Sequence, residues 1–233
     1  MAYQAVFKRY EMKFMLDSDQ KKAVDIAVAE NMVPDEYGQS SIFNIYFDTE
    51  NYLLARRSIE KPMYKEKLRL RSYGVPYGDN EVFVEIKKKF DSVVYKRRVS
   101  MGYDQAMGWL CTDARRDSTQ IESEIQFFKD DYRPVPKVEL RYERLSFKGD
   151  DGFRLTFDTQ VRARNYGGSS WTPLLEDDIT LMELKTPYAI PLWMVDVLSR
   201  NGIRKSSFSK YGKAYELMDN RYTIEGMKEG ALA

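Results

Sequence analysis

The stretch KLRLRSYG, residues 67–74, places three like charges at every second position and ends at a turn glycine. Because side chains alternate between the two faces of a strand, Lys67, Arg69 and Arg71 share one face and the leucines between them share the other. Such a row of cations faces either water, as on the outer face of an ordinary antiparallel sheet, or an anion. One strand does not decide between these interpretations, whereas the same charged face on several strands would favour an anion.

The composition limits the chemistry that is open to the chain. It has 233 residues, 37 Lys and Arg against 36 Asp and Glu, one cysteine and no histidine. The length suits one large domain, the charge balance weakly disfavours nucleic acid, and the single Cys111 excludes an internal disulfide. Without histidine there are no Ser-His or Cys-His pairs and no histidine-ligated zinc, so an enzyme would have to use carboxylates, Lys, Arg and a hard metal ion.

The sequence has no recognisable targeting signal and no linker that would divide it. No apolar run approaches the ~20 residues that a membrane span needs, and the N-terminal stretch lacks the apolar region of a signal peptide. These observations predict a soluble, cytoplasmic protein. We expect residues 1–222 to form a single domain and residues 223–233 to be a disordered tail.

The hydrophobic patterns predict a mixture of strands and helices. Eight segments have the alternation or the β-branched and aromatic content of strands, at roughly 5–15, 41–48, 66–73, 80–88, 93–100, 136–147, 152–160 and 179–186. Helices are predicted at 17–31, 104–111, 118–131 and 190–202, after YFDTEN, and over SKYGKAYELM. Strands in succession with helices inserted at intervals predict an antiparallel α+β domain. The aromatic residues expected in its core beneath the helices are Tyr10, Phe14, Tyr46 and Phe47.

Most of the predicted strands repeat the charged face of residues 67–74. The face is dominated by Arg and Lys with a few carboxylates, as in RYEMKF, VEIKKK, VYKRR and LMELKTP. Eight strands can close into a barrel, and if the apolar faces then pack outward against helices, the charged faces line a tunnel that needs an anionic partner. Triphosphate suits such a tunnel, because its oxygens accept Arg forks and bind Mg²⁺ or Mn²⁺ together with a carboxylate. On the residues alone, a solvated sheet face remains the alternative.

Nine short stretches resemble, in the same order, the VTC-type polyphosphate polymerase domain of the CYTH-like triphosphate tunnel metalloenzymes. They cover about residues 5–218 and read RYEMKF, IYFDT, LRLRSYG, VEIKKK with the following VYKRR, YERLSF, FRLTFDT, LMELKTP and SFSKYGKAY. The first is similar to the E-x-E-x-K signature of that superfamily, with Arg9 in place of the first Glu. The resemblance implies an eight-stranded antiparallel β-barrel, the triphosphate tunnel, with surrounding helices. It also implies a metal-dependent transferase that moves the terminal phosphoryl group of ATP onto a growing polyphosphate chain.

The resemblance also implies site residues by matching position. The catalytic phosphate ligands would be Lys13, Arg69, Arg71, Lys87, Lys96, Arg144, Arg154 and Lys210. Further substrate-binding residues would be Arg9, Arg98, Lys205 and Ser209, although the family commonly has Lys where this chain has Ser207. Glu183 would be the ligand of Mn²⁺ or Mg²⁺, with Glu11 and Glu85 as further metal candidates that could instead orient Lys13 or Lys87. Whether Arg141 or Arg144 faces the tunnel depends on register or on a bulge, and Arg144 is preferred.

Two other functions fit the same pattern. One is a hydrolase of tripolyphosphate or of a nucleoside triphosphate, since water needs only to replace the acceptor phosphate. The other is a polyphosphate-binding module without catalysis. The expected partners are ATP and inorganic polyphosphate, not nucleic acid. The phosphate-sensing and membrane segments that accompany the eukaryotic domain are absent from this sequence, so coupling to translocation would need a membrane-protein partner.

Overall fold

A computed structural model describes residues 10–60, 62–90 and 93–218 of the chain. Arg9 and the predicted tail lie outside these residues. Within them the strands are β1 (Tyr10–Leu16), β2 (Val33–Asp48), β3 (Tyr64–Tyr73), β4 (Glu81–Phe90), β5 (Val93–Gly102), β6 (Val135–Lys148), β7 (Arg154–Asn165), β8 (Thr172–Pro173), β9 (Thr180–Thr186) and β10 (Lys205–Ser206). The α-helices are α1 (Ser18–Asn31), α2 (Leu53–Glu60), α3 (Tyr103–Cys111), α4 (Gln120–Tyr132), α5 (Leu192–Arg200) and α6 (Lys210–Met218).

The predicted elements are all present, with two additions. Six helices and eight strands correspond to the predicted ones, but β2 begins at Val33, eight residues before its predicted start, and residues 5–9 of the first predicted strand lie outside the described residues. The added strands β8 and β10 have two residues each. A two-residue strand shows no alternation, so the sequence pattern does not reveal it. None of the helices within the described ranges has the length and hydrophobicity needed to cross a bilayer.

The strands form one antiparallel sheet in the order β10-β1-β9-β7-β6-β2-β3-β4-β5, with β8 beside β7. The α+β class is therefore confirmed, but the expected closed barrel is not, because β5 and β10 are unpaired edges of the described sheet. The outer edge of β1 is covered by β10, through the pairs Lys13–Ser206 and Phe14–Lys205, and not by β5. Side chains bridge the gap instead, since Lys87 Nζ on β4 donates to Glu11 Oε2 on β1 at 3.0 Å.

The convex face of the sheet packs against helices, as the apolar alternation predicts. Phe47 and its neighbours on β2, β3 and β4 pack against α3 and α4, and Phe14 and its neighbours on β1, β7 and β9 pack against α1 and α5. The prediction for Tyr10 is wrong, because this residue is 53 % exposed. It continues the apolar face past Met12 at the first residue of β1, where the helices no longer cover the sheet.

One helix lies on the other, concave face. Tyr211 of α6 stacks on Tyr46 with ring centroids 4.5 Å apart, and its hydroxyl donates to Asp48 Oδ2 at 2.6 Å. Asp48 also accepts from the backbone N–H groups of Leu54 and Ala55, which fixes the start of α2. Tyr46 is therefore buried beneath a helix as expected, but that helix covers part of the concave face and leaves the charged remainder open.

A bulge in β7 decides the orientation of β6. Between the pairs Arg141–Arg162 and Glu143–Thr159, β7 has one more residue than β6, and Gln160 adopts a φ of 50° there. Since β7 takes the extra residue, β6 keeps its strict alternation and Arg144 shares the concave face with Tyr142. Arg141 lies on the opposite face, with its guanidinium 4.3 Å from the ring of Trp171.

Candidate functional site

The open part of the concave face forms a cavity of about 150 Å³, which we call the basic cleft. Its charged lining residues are Lys13, Lys67, Arg69, Arg71, Lys87, Lys96, Arg144, Lys185 and Lys210, with Glu11, Glu85 and Glu183. Tyr46, Tyr142, Ser209 and Tyr211 complete the lining. A single water needs roughly 10–15 Å³, so the basic cleft has room for a run of phosphate groups. The lining contains nine cationic and three anionic side chains. The basic cleft therefore has a local excess of positive charge, although the positive and negative residues of the whole chain nearly balance.

Strand register brings these charges together. Directly opposite residues of an antiparallel pair point to the same face, and the pairs Lys67–Lys87 and Arg69–Glu85 join β3 to β4. The same rule applies to the pairs Lys13–Glu183 and Glu11–Lys185, which join β1 to β9. Like charges directly opposite each other are destabilising, so a pair such as Lys67 and Lys87 indicates a surface arranged for an anion.

Glu85 organises the wall formed by β3, β4 and β5. Its Oε2 accepts from Arg69 Nε at 2.8 Å and lies 3.8 Å from Arg71 Nε, while its Oε1 lies 2.6 Å from Lys96 Nζ. Burial alone would raise the pKa of Glu85, but Arg69, Arg71 and Lys96 hold it well below its usual range. Asn44 Oδ1 accepts from Arg71 Nε at 3.2 Å and fixes the second guanidinium.

Glu183 has a different environment on the wall formed by β1 and β9. Its nearest cationic atoms are Lys185 Nζ at 3.8 Å and Arg144 Nη2 at 3.9 Å, and within the described residues it accepts no hydrogen bond. Its side chain is only 11 % exposed. Burial favours the neutral acid, yet Lys185, Lys13 and Arg144 lower the pKa of Glu183 well below its usual value. The carboxylate is therefore ionised with its oxygens available to a ligand.

Asp158 fixes two further cations. Its oxygens accept from Arg144 Nε at 2.6 Å and Nη2 at 2.8 Å, and Lys210 Nζ also donates to it, at 2.5 Å. Burial opposes ionisation, but Lys210 and Arg144 keep the pKa of Asp158 low. The sequence indicates at most a turn role for Asp158 in the stretch FDT, since its partners lie on β6 and α6.

Three lysines of the basic cleft are shifted toward neutrality, and burial, reinforced by the charges of Lys13 and Lys87, lowers the pKa of Lys67 well below its usual value. Burial lowers the pKa of Lys13 to about 8, with Lys210 and Lys87 adding to the shift and Glu183 opposing it. Burial likewise lowers the pKa of Lys96 to about 7, against the attraction of Glu85. All three shifts have the sign expected where cations crowd one another without a polyanion.

Most of the predicted site residues come together in the basic cleft. Those that line it are Lys13, Arg69, Arg71, Lys87, Lys96, Arg144, Lys210, Ser209, Glu183, Glu11 and Glu85. Ser209 Oγ accepts from Lys67 Nζ at 3.1 Å. Sequence reasoning missed the roles of Lys67, Lys185 and Tyr142, although the first two share the alternation of assigned neighbours and could have been found from it.

Three other predicted residues are not among those that line the basic cleft. Arg98 shares the face of Lys96 but lies over the ring of Phe83, at 4.7 Å. Arg154 lies opposite Lys185, and its Nη2 is 3.8 Å from Asp35 Oδ2.

Lys205 is the third, and the structure places it on the wrong face for the predicted role. Because Ser206 is paired with Lys13, Lys205 is paired with Phe14 and lies on the convex side of the sheet.

The chemistry of the carboxylates fits a divalent metal ion held together with substrate. Within the described residues there is no cluster of three or more His, Cys, Asp and Glu side chains. Mg²⁺ needs no such cluster, because it is bound by one or two carboxylates and substrate phosphates and keeps several waters. Among the residues that the structure describes, Glu183 accepts no hydrogen bond, Glu11 accepts from Lys87, and Glu85 is engaged by its cations. The available oxygens therefore rank Glu183 first and Glu85 last.

Comparison with known proteins places this geometry in a family. The sequence model of the VTC domain matches residues 8–219. Among solved structures, a candidate adenylate cyclase from Bacillus halodurans is 12 % identical with a TM-score of 0.56, over 88 % of this chain and 96 % of that chain. A candidate adenylyl cyclase from Hippeastrum, described as having a dominant triphosphatase activity, is 16 % identical with a TM-score of 0.52, over 88 % and 94 %. No curated protein matches the sequence significantly.

At these identities the solved structures show likeness of fold alone. The family match is independent of that likeness and spans nearly all of the described residues. The resemblance expected from the nine ordered stretches is thereby confirmed. The chain belongs to the VTC domain family.

Proposed function

We propose that the protein is a polyphosphate polymerase, which transfers the terminal phosphoryl group of ATP to a growing chain of inorganic polyphosphate in the cytoplasm. The observation that carries the proposal is the basic cleft itself. A VTC domain has here an excess of fixed cations around one buried carboxylate, Glu183, whose oxygens accept no hydrogen bond from the described residues. Residues 1–222 are proposed to act as one domain.

Substrate binding relies on guanidinium groups that are already oriented. Glu85 holds Arg69, Asn44 holds Arg71, and Asp158 holds Arg144, so little conformational entropy is lost when phosphate oxygens arrive. Lys13, Lys67 and Lys87 contribute ammonium groups that donate to Phe208 O, Ser209 Oγ and Glu11 Oε2, and a polyanion relieves their mutual repulsion. Such a preorganised field favours the charge of a transferring phosphoryl group without reorganisation at the moment of reaction.

The reaction breaks the bond between the terminal phosphorus of ATP and its bridging oxygen, and forms a bond from a terminal polyphosphate oxygen to that phosphorus. ADP leaves with the bridging oxygen. The transition state is loose, so positioning and charge neutralisation supply most of the catalysis. The attacking phosphate oxygen is already ionised at neutral pH and needs no general base, which suits a chain without histidine.

A divalent ion, Mg²⁺ or Mn²⁺, would be held by Glu183 and Glu11 together with phosphate oxygens, and would neutralise phosphate charge there. Lys185 and Lys13 flank this position and orient Glu183 through their charges. Arg144 approaches the same carboxylate from β6 and joins it to the phosphate-binding wall.

Hydrolysis of a triphosphate is the second candidate function. It is favoured by the dominant triphosphatase activity ascribed to the Hippeastrum protein of similar fold. Water, unlike a phosphate oxygen, must lose a proton during attack. Glu85 and Asp158 are engaged by cations and have lowered pKa values, which makes them poor bases and favours transfer to phosphate.

The purified protein should be incubated with ATP and either Mn²⁺ or Mg²⁺, and both polymer length and free phosphate should be measured. The appearance of polymer together with ADP as products supports the proposal. Free phosphate without polymer would instead show that the protein is a hydrolase. Tight polyphosphate binding without turnover assigns a binding module. Glu183→Gln should lower turnover by about 10²–10³-fold, the typical effect of losing one electrostatic group at a reacting centre. The matched control is Glu30→Gln, an exposed carboxylate on α1.

Full activity of Glu183→Gln across a manganese titration would contradict the metal assignment. The next variant would then be Glu11→Gln, because Glu11 has the next most available oxygens.

A further inference from the structure

The charged rows of the basic cleft end in aromatic side chains. On β3, Tyr73 follows Arg71 on the same face, and on β4 the partner of Arg71 is Phe83. The rings of Tyr73 and Phe83 meet edge to face with centroids 6.2 Å apart, and Tyr37 lies parallel to Tyr73 at 5.8 Å. We call Tyr37, Tyr73 and Phe83 the aromatic rim.

The aromatic rim is an open surface. Tyr37 and Tyr73 are about half exposed, and none of the three residues belongs to a buried hydrophobic cluster of the described chain. The guanidinium of Arg98 lies 4.7 Å from the ring centroid of Phe83. Aromatic faces beside guanidinium groups form the kind of surface on which single nucleobases stack.

We propose that the aromatic rim binds the base of the nucleoside triphosphate while its phosphates lie in the basic cleft. The inference rests on the proposed function, in that it assumes a nucleotide as phosphoryl donor. Arg69, Arg71 and Tyr73 follow each other at every second position of β3, so the rim lies roughly 13 Å beyond Arg69 at ~3.3 Å per residue. The order along the strand, cations and then aromatic rings, matches the order of phosphates and base in the nucleotide.

Stacking also explains how a nucleotide could be used without a strict choice of base. Every base has a π face, so stacking tolerates different bases, whereas selection among them requires hydrogen bonds to the base edges. The aromatic rim presents ring faces next to Arg98. We therefore expect affinity to depend on the number of phosphates first, on the presence of a base second, and on its identity least.

The test compares two ligands on the same variants by calorimetry. They are the non-hydrolysable β,γ-imido analogue of ATP and inorganic tripolyphosphate, which has no base. Tyr73→Ala should weaken binding of the ATP analogue by roughly 5- to 150-fold and leave tripolyphosphate binding within about twofold. Tyr73→Phe should bind both ligands as the wild type does. The matched control is Tyr95→Ala, because Tyr95 is 44 % exposed against 46 % for Tyr73 but lies on the other face of β5.

A fluorescence measurement separates stacking from a change in fold. The fluorescence of 2-aminopurine riboside triphosphate should be quenched when the wild type or Tyr73→Phe is saturated, and not when Tyr73→Ala is saturated. Equal weakening of both calorimetric ligands by Tyr73→Ala, or no weakening of the ATP analogue, would overturn the proposal. If the wild type binds neither ligand, the proposed function itself fails. If it binds tripolyphosphate and not the analogue, only the donor site is wrong.

Discussion

Each wall of the basic cleft contains a buried glutamate, and the two glutamates have different surroundings. On the wall of β3, β4 and β5, Glu85 is 1 % exposed and lies 2.8 Å from Arg69 Nε and 2.6 Å from Lys96 Nζ. On the wall of β1 and β9, the nearest cationic atoms to Glu183 lie at 3.8 and 3.9 Å. Both carboxylates are ionised, but one fixes cations and the other keeps its oxygens free. The cross-strand neighbours, not the residue type, decide which role a carboxylate has.

The largest expected effect comes from breaking the tighter wall. Glu85→Gln should lower the free energy of unfolding by about 3–5 kcal/mol, because it removes the buried negative charge that pairs with the partly buried Arg69 and Arg71. Glu183→Gln should cost less than half as much, since it loses longer-range attraction and no hydrogen bond. Denaturant unfolding without polyanion measures both variants. Saturating tripolyphosphate should restore much of the loss in Glu85→Gln. Equal losses for the two variants would show that the walls do not differ.

A smaller effect is expected from removing one phosphate-binding guanidinium. Arg71→Ala should weaken tripolyphosphate binding and lower kcat/KM together, each by about 10- to 150-fold, because the fork contacts phosphate before and during transfer. Arg141→Ala is the matched control, since Arg141 lies against Trp171 on the opposite face. A lower kcat with unchanged tripolyphosphate affinity would instead mean that Arg71, as proposed for Glu183, acts in the transfer step and not in substrate binding.

From the lowered pKa values of the cleft lysines we expect opposite pH trends for tripolyphosphate affinity and for the free energy of unfolding. The pKa is about 7 for Lys96 and about 8 for Lys13 and is also lowered for Lys67, so these lysines lose charge in the free protein as the pH rises, mainly through desolvation. Tripolyphosphate affinity should fall between pH 7 and 9, by at most about tenfold per pH unit for each lysine that must take up a proton. These lysines remain protonated in the unfolded chain up to about pH 10, so their contribution to stability rises over the same range.

Calorimetry and denaturant unfolding at several pH values measure the two trends. Lys96→Met should make the affinity for tripolyphosphate less dependent on pH. The part of the pH dependence that comes from Lys13 should remain. An affinity that is constant from pH 7 to pH 9 would contradict the shifted pKa values.

The smallest effect is expected at Lys205. Since this residue lies on the convex face beside Phe14, Lys205→Ala should change tripolyphosphate affinity by no more than about twofold. The same calorimetric titration measures it. A tenfold loss would mean that β10 presents Lys205, and not Ser206, to the basic cleft.

Alternation along β1, β3, β4 and β9 was sufficient to predict which of their side chains share one face. Examples are Lys13, Arg69, Lys87 and Glu183. Side chains alternate with a period of two, so once the apolar residues of a strand face the helices, its charged residues must face the cleft. Alternation does not give the depth of a residue in the cleft, since depth depends on strand tilt and on the stagger between distant strands. For this reason Arg98 shares the correct face but lies outside the lining.

The features that the sequence could not predict depend on contacts between distant segments. The amphipathic pattern of α6 shows that Tyr211 is buried, but not that it packs on the concave face against Tyr46. One edge of the sheet is β10, which is too short to have a pattern in the sequence. The different roles of Glu85 and Glu183 follow from the strand order, which a single sequence does not contain.

Because β1 pairs with β9, the site can form only after the ribosome has synthesised β9. Lys13 and Glu183 face each other although one is made about 170 residues after the other. At about 5–20 residues per second, the ribosome leaves β1 without this partner for roughly 10–35 s, and α6 follows later still. A nascent chain is therefore expected to gain affinity for polyphosphate abruptly, near the end of its translation, and a chain released before β9 should have no functional cleft.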